Sequence, residues 1–126
     1  MGEMLNKEKV NQILDEQMEK ARPVMKNREE LVSMMVKAEE KIRANEPLAS
    51  IQELPAMMHI VRSYAYGSAA GVSEDAVAVM TGALLYLTDS NDYFDDSTPV
   101  IGLFDDMAVI WAAIDRVQME IRTFRK

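Results

Sequence analysis

The sequence predicts an all-α protein, a compact bundle of about five helices, and three observations carry that prediction. Apolar residues recur three and four positions apart in every long segment, and no stretch alternates apolar with polar residues as a half-buried strand would. Five Gly and four Pro in 126 residues are too few for a loop-rich β fold. The composition, 48% apolar and 28% charged, is that of a globular chain. At this length one core is expected, burying about two thirds of the unfolded chain's surface, so residues 1–126 read as a single helical domain.

The first helix spans Leu5 to about Ala21, where Val10, Ile13, Leu14, Met18 and Ala21 form an apolar stripe among Lys and Glu. Pro23 ends or interrupts it, because proline lacks the N–H that the helix ladder needs. A second helix covers Asn27 to Ala44, with Asn27 as N-cap, Glu30 placed for a capping box, and Leu31, Met34, Met35, Ala38 and Ile42 on one face. Asn45 to Ser50 is a connector. The third helix begins near Leu54 with Pro55 in its first turn and carries Met57, Met58, Val61, Tyr64 and Ala65; Ser50 with Glu53 offers an alternative, earlier start.

Gly67 and Gly71 bracket a turn, after which Ser73 caps a fourth helix over 74–88. Glu74 and Asp75 face the positive end of its dipole, and its body from Ala76 to Leu87 is apolar all round, which predicts a central position. Gly82, with Ala78 one turn earlier, permits the close approach of a neighbouring helix. An acidic turn over 89–105 follows. After Gly102 a fifth helix carries Met107, Ile110, Trp111, Ile114, Val117, Ile121 and Phe124 along one face, with Arg116, Arg122, Arg125 and Lys126 toward its negative end.

Charge is distributed unevenly along this chain. The net charge is −7, and between Ser63 and Asp115 there is no Lys or Arg, while nine carboxylates fall in that stretch. The rest of the chain is close to balanced. Such a polarity suits a cation or a basic protein partner and argues against nucleic acid, whose binding depends on Lys and Arg neutralising phosphates. Cysteine is absent, which excludes disulfides and thiolate chemistry. The start, Met-Gly-Glu-Met-Leu, lacks the apolar core of a signal peptide. A cytoplasmic location is therefore expected. The longest uncharged apolar run, Ala76 to Thr88, is well short of the ~20 residues of a transmembrane helix, so no transmembrane segment is expected.

The stretch Tyr86-Leu87-Thr-Asp89-Ser90-Asn-Asp92-Tyr-Phe-Asp95-Asp96-Ser-Thr-Pro99-Val100-Ile-Gly102-Leu-Phe-Asp105-Asp106 resembles the signature of the YkvA-like family of uncharacterised small bacterial helical domains. That signature runs Tyr-Leu, Ser-Pro-x-Asp, Pro-Asp-x-x-Pro and Gly-x-x-Asp-Asp into a helix. Tyr86, Leu87, Asp92, Asp96, Pro99, Val100, Gly102, Asp105 and Asp106 fall in register with it. The resemblance covers about residues 50–126 and leaves 1–49 as an N-terminal helical extension, suited to dimerisation or to service as a lid. It implies a helical fold and a shared turn, and supplies no activity. Two departures stand out. Asp89-Ser90 replaces Ser-Pro, and Asp95-Asp96 replaces Pro-Asp, so two φ-fixing prolines are gone and two charges gained.

Function is read from that turn. The first reading is a non-enzymatic interaction or regulatory protein, a homodimer in one version, that presents Asp89, Asp92, Asp95 and Asp96 to a basic protein partner. The second is a divalent-metal site, or a metal-dependent hydrolase, built on Asp92, Asp96, Asp105 and Asp106, since Ca²⁺ and Mg²⁺ prefer carboxylate oxygens. The turn is not an EF-hand: counting from Asp89, Phe94 occupies the glycine position and Val100 that of the bidentate Glu. Backbone capping by these short acids is the simpler alternative and is preferred to metal. A third, weaker reading is peripheral membrane association through an exposed apolar helix face. The single histidine, His59, between Met58 and Ile60, reads as incidental and partly buried. Eleven methionines read mainly as core filling. No catalytic residue is assigned.

Overall fold

A computed structural model describes residues 7–67, 71–88 and 99–125, excluding the side chains of 99–105, 124 and 125. The architecture is all-α. In chain order the helices are α1 (Lys7–Met25), α2 (Arg28–Ala44), α3 (Glu46–Ala49), α4 (Leu54–Ala65), α5 (Glu74–Thr88), α6 (Pro99–Arg116) and α7 (Gln118–Arg125).

The fold is organised around α5. Its first turn is set by Ser73, whose Oγ accepts from the Ala76 N–H at 3.1 Å, a cap worth about 1 kcal/mol. Beyond Asp75 the helix offers almost no polar surface, and eleven of its fifteen residues are buried. A helix of this kind is stable only when covered on all sides. Helices α1, α2, α4 and α6 all pack on it, α1 most extensively. Arg22 meets Asp75 at 3.2 Å, while Gly82 lies against Gln17 and Met18, so α1 runs antiparallel to α5.

The Gly82 crossing is close enough to exclude any side chain. A Cβ there would stand 2.9 Å from the Gln17 carbonyl carbon and the Met18 nitrogen, and 3.1 Å from the Gln17 oxygen. These are backbone atoms that no rotamer change can move aside. The close-approach role expected of Gly82 is thus realised, with α1 as the neighbour. Ala78 and Ala21, fully buried one turn along each helix, extend the narrow contact.

Several boundaries differ from those expected. Helix α1 runs through Pro23 to Met25. A proline this close to a C-terminus removes one ladder bond without ending the helix, and Met25 is buried beyond it. The Lys26 and Asn27 N–H groups then close the turn onto the Pro23 and Val24 carbonyls. The Asn27 cap is one-sided: its side chain accepts from the Glu30 N–H at 3.1 Å, while its own N–H is taken by Val24. The connector 45–50 contains a single helical turn, α3, whose Leu48 is fully buried. Ser50 is the C-cap of α3, its N–H donating to the Glu46 carbonyl and its hydroxyl to the Pro47 carbonyl, so α4 starts at Leu54 as the Pro55 signal indicates. Past α4, Gly67 adopts φ 79°, a left-handed conformation that glycine enters without strain.

The last helix differs most. It begins at Pro99, one turn before the expected start, so 99–105, the end of the expected turn, are helical and Asp105 and Asp106 lie well inside α6. It is also divided at Val117, whose N–H is shared between the Ala113 and Ile114 carbonyls. The apolar stripe continues across this joint, with Ile110, Ile114, Val117 and Ile121 buried in one continuous core that reaches back to Val10. Trp111, expected on that stripe, is instead 48% exposed. The buried face is centred on Ile110, Ala113 and Val117, and Trp111 stands about 100° to one side.

Replacing Gly82 by Ala tests the crossing directly. Helix propensity alone would favour the change by up to about 1 kcal/mol, but overpacking against backbone costs about 1–3 kcal/mol. Denaturant titration should show a lower midpoint for Gly82→Ala, whereas Ala in place of exposed Ser33 should leave it within about 0.5 kcal/mol of the parent.

Candidate functional site

The most unusual chemistry among the described residues lies where α2, α5 and α6 meet. Asp106, in the eighth position of α6, is buried with no side-chain surface exposed. It falls on the same face as Ile110, Ala113 and Val117, so helical periodicity itself turns a carboxylate into the core. Lys41 of α2 answers it. Its Nζ lies 2.9 Å from Asp106 Oδ2 and donates to the Leu87 carbonyl at 2.9 Å.

One ammonium therefore ties together three helices. The Leu87 carbonyl belongs to the last turn of α5, where unpaired carbonyls give the helix its negative end and a cation is favoured. Asp106 supplies a full negative charge at the same point. The Lys41 side chain remains 28% exposed, so its charge keeps some contact with water while that of Asp106 does not. The backbone beneath Lys41 is fixed too, because Asn45 Nδ2 donates to the Lys41 carbonyl at 2.7 Å and the Asn45 N–H closes α2 onto Ile42. This clamp grips the chain at Leu87, just before the acidic turn, and at Asp106, just after it.

Of the residues assigned to a site from sequence, Asp89, Asp92, Asp95 and Asp96 lie outside the described residues, as does the side chain of Asp105. Asp106 is described, and Lys41 holds one of its oxygens. A divalent cation placed there would meet an ammonium 2.9 Å from that oxygen. Among the described residues, no group of three or more acidic or histidine side chains is arranged to hold a metal ion. His59, expected to be partly buried, is exposed: Met58 and Ile60 turn into the core on either side of it and leave position 59 on the outer face of α4. No described helix is long and apolar enough to cross a membrane.

Other polar ties hold the surrounding helices. Arg116 of α6 reaches α1, bonding Asp15 Oδ1 at 2.8 Å and Asn11 Oδ1 at 3.1 Å. Arg28 donates from Nε to the Ala65 carbonyl at 2.8 Å and lies 5.3 Å from the centre of the Tyr66 ring, closing the C-terminus of α4. The Tyr64 hydroxyl donates to Glu74 Oε2 at 3.2 Å, joining α4 to α5. Burial, the hydrogen bond to Glu74 and the Glu74 charge together raise the Tyr64 pKa above its usual value.

Two experiments probe these ties. Lys41→Met removes the ammonium from a fully buried carboxylate and should cost about 3–5 kcal/mol, the range for breaking a buried pair. Asp106→Asn leaves a lysine that reaches water and should cost less. Urea titration of both variants reads this asymmetry. For Tyr64, a folded pKa above the unfolded value of about 10 means stability is retained below pH 10 and lost as pH rises through the folded pKa. The stability difference between wild type and Tyr64→Phe should therefore move against the wild type between about pH 9 and pH 11, and parallel curves would refute the linkage.

No protein-family model, curated protein or solved structure matches this chain.

Proposed function

We propose that this protein is a non-enzymatic interaction module that offers the acidic turn between α5 and α6 to a basic protein partner, on a core of YkvA-like design. The observation that carries the reading is the charge pattern: nine carboxylates and no Lys or Arg between Ser63 and Asp115. Charge of one sign concentrated on one segment steers an oppositely charged partner and makes association depend on salt.

The Lys41 clamp supports this reading in two ways. It anchors the chain on both sides of the turn to rigid helices, and a loop held at its ends loses less entropy on binding than a free one. It also commits Asp106 to the core, so the proposed contact rests on Asp89, Asp92, Asp95 and Asp96, which lie outside the described residues. On the alternative reading, Ca²⁺ or Mg²⁺ would be held by Asp92, Asp96 and Asp105 without a share from Lys41-bound Asp106. No specific feature favours that alternative.

Fluorescence anisotropy with a labelled Lys/Arg-rich peptide tests the proposal. Wild type should bind it, with affinity falling steeply as salt is added. The double variant Asp89→Lys/Asp95→Lys should bind at least ~10-fold more weakly with an unchanged circular dichroism spectrum. Equal binding by the two proteins would refute the reading.

A further inference from the structure

The face formed by α1 and α6 carries a feature that the acidic turn does not explain. Between these helices runs an open groove of about 370 Å³, floored by Val10, Ala108 and Ala112 and flanked by Trp111. A tryptophan left 48% exposed beside small apolar residues is an uncommon expense of apolar surface. Tryptophan in such a position is the residue type most often found at the energetic centre of an interface.

The charges at the rim indicate what covers it. Lys7 and Asp115 both line the groove, and neither takes part in an ion pair within the described residues. Arg116 contacts Asn11, Asp15 and Met18, so the middle of α1 lies beside the end of α6. Lys7, one turn before Asn11, therefore sits toward Ala108. Asp115 lies seven residues beyond Ala108, roughly 10 Å along the helix axis. Arg116, which lines the groove beside Asp115, is taken up by Asp15, so within the described residues the groove has an unpaired positive charge at one end and an unpaired negative charge at the other, with Trp111 between them.

A surface of that pattern is complementary to itself. When α6 of one copy lies antiparallel on α6 of a second, about a two-fold axis beside Trp111 and Ala112, Asp115 of each copy comes opposite Ala108 of the other, where Lys7 stands. Each Trp111 then enters the hollow left by the other copy's alanines. Isologous contacts of this kind build two-fold dimers, the commonest closed assembly. The net charge of −7 opposes self-association over most of the surface, but here Lys7 offsets Asp115 and Arg116 is offset by its partner Asp15, so two copies meet little net repulsion through this face.

We propose that the α1/α6 groove is a self-association surface, on which two copies of this chain pair α6 against α6 with Trp111 buried and Lys7 facing Asp115 of the second copy. This is independent of the acidic turn and of its partner.

Trp111 is the sole tryptophan of the chain, so its fluorescence reports on this face alone. Sedimentation equilibrium of the full chain should give a dimer, and dilution should shift the tryptophan emission to longer wavelength as the ring meets water. Trp111→Ala, Lys7→Glu and Asp115→Lys should each raise the dissociation constant by at least ~10-fold. The charge swap Lys7→Glu/Asp115→Lys should restore it. Circular dichroism checks that every variant is folded. A chain that stays monomeric at all concentrations overturns the proposal. So does a dimer unaffected by the single variants, which would place the contact elsewhere, and so does a double variant no better than the singles. Burial of Trp111 by an unrelated helical peptide without self-association would likewise overturn it.

Discussion

Everything in this fold answers to one constraint: α5 has almost no polar side to give to water. Eleven buried residues in a fifteen-residue helix demand cover in every direction. The closest cover comes from α1, whose backbone approaches until no room is left for a side chain at Gly82. The other helices take the remaining sides, and their joints are sealed by long basic side chains from α2 and α6. Lys41, Arg28 and Arg116 each bridge to a different helix. Apolar burial sets the arrangement, and these bridges fix its register.

The same constraint bears on the helices before residue 50. Expected from the sequence to be an N-terminal extension, α1 and α2 cover α5 and supply Lys41, the cation of the buried pair. Removing them would expose one flank of the most apolar helix and strip Asp106 of its ion-pair partner. They are part of the core in the plain sense that the buried cluster runs through them, from Val10 to Ile121.

Much of this was legible in the sequence. The helix class, the centrality of 74–88, the Asn27 and Ser73 caps and the small-residue contact at Gly82 all follow from local pattern, because each depends on neighbours within a turn or two. What lay beyond reach depended on distant partners. Lys41 sits among Lys37, Glu39 and Glu40 and reads as one more solvated charge; only the fold brings Asp106, 65 positions later, beside it. Asp106 did carry a signal, since it shares a face with Ile110, Ala113 and Val117. A carboxylate on an apolar stripe predicts a buried counter-charge. Trp111 was misplaced for the opposite reason: residue type drew it onto the stripe, while its angle put it outside.

The antiparallel pairing of α1 with α5 also orders events during synthesis. Helix α1 leaves the ribosome about sixty residues before the helix that is to cover it, with Val10, Ile13 and Leu14 facing no finished core. Its ties to α6 lie more than 100 residues apart in sequence. The core is therefore completed late: α1 and its apolar stripe gain their full cover only once α5 and α6 have been made.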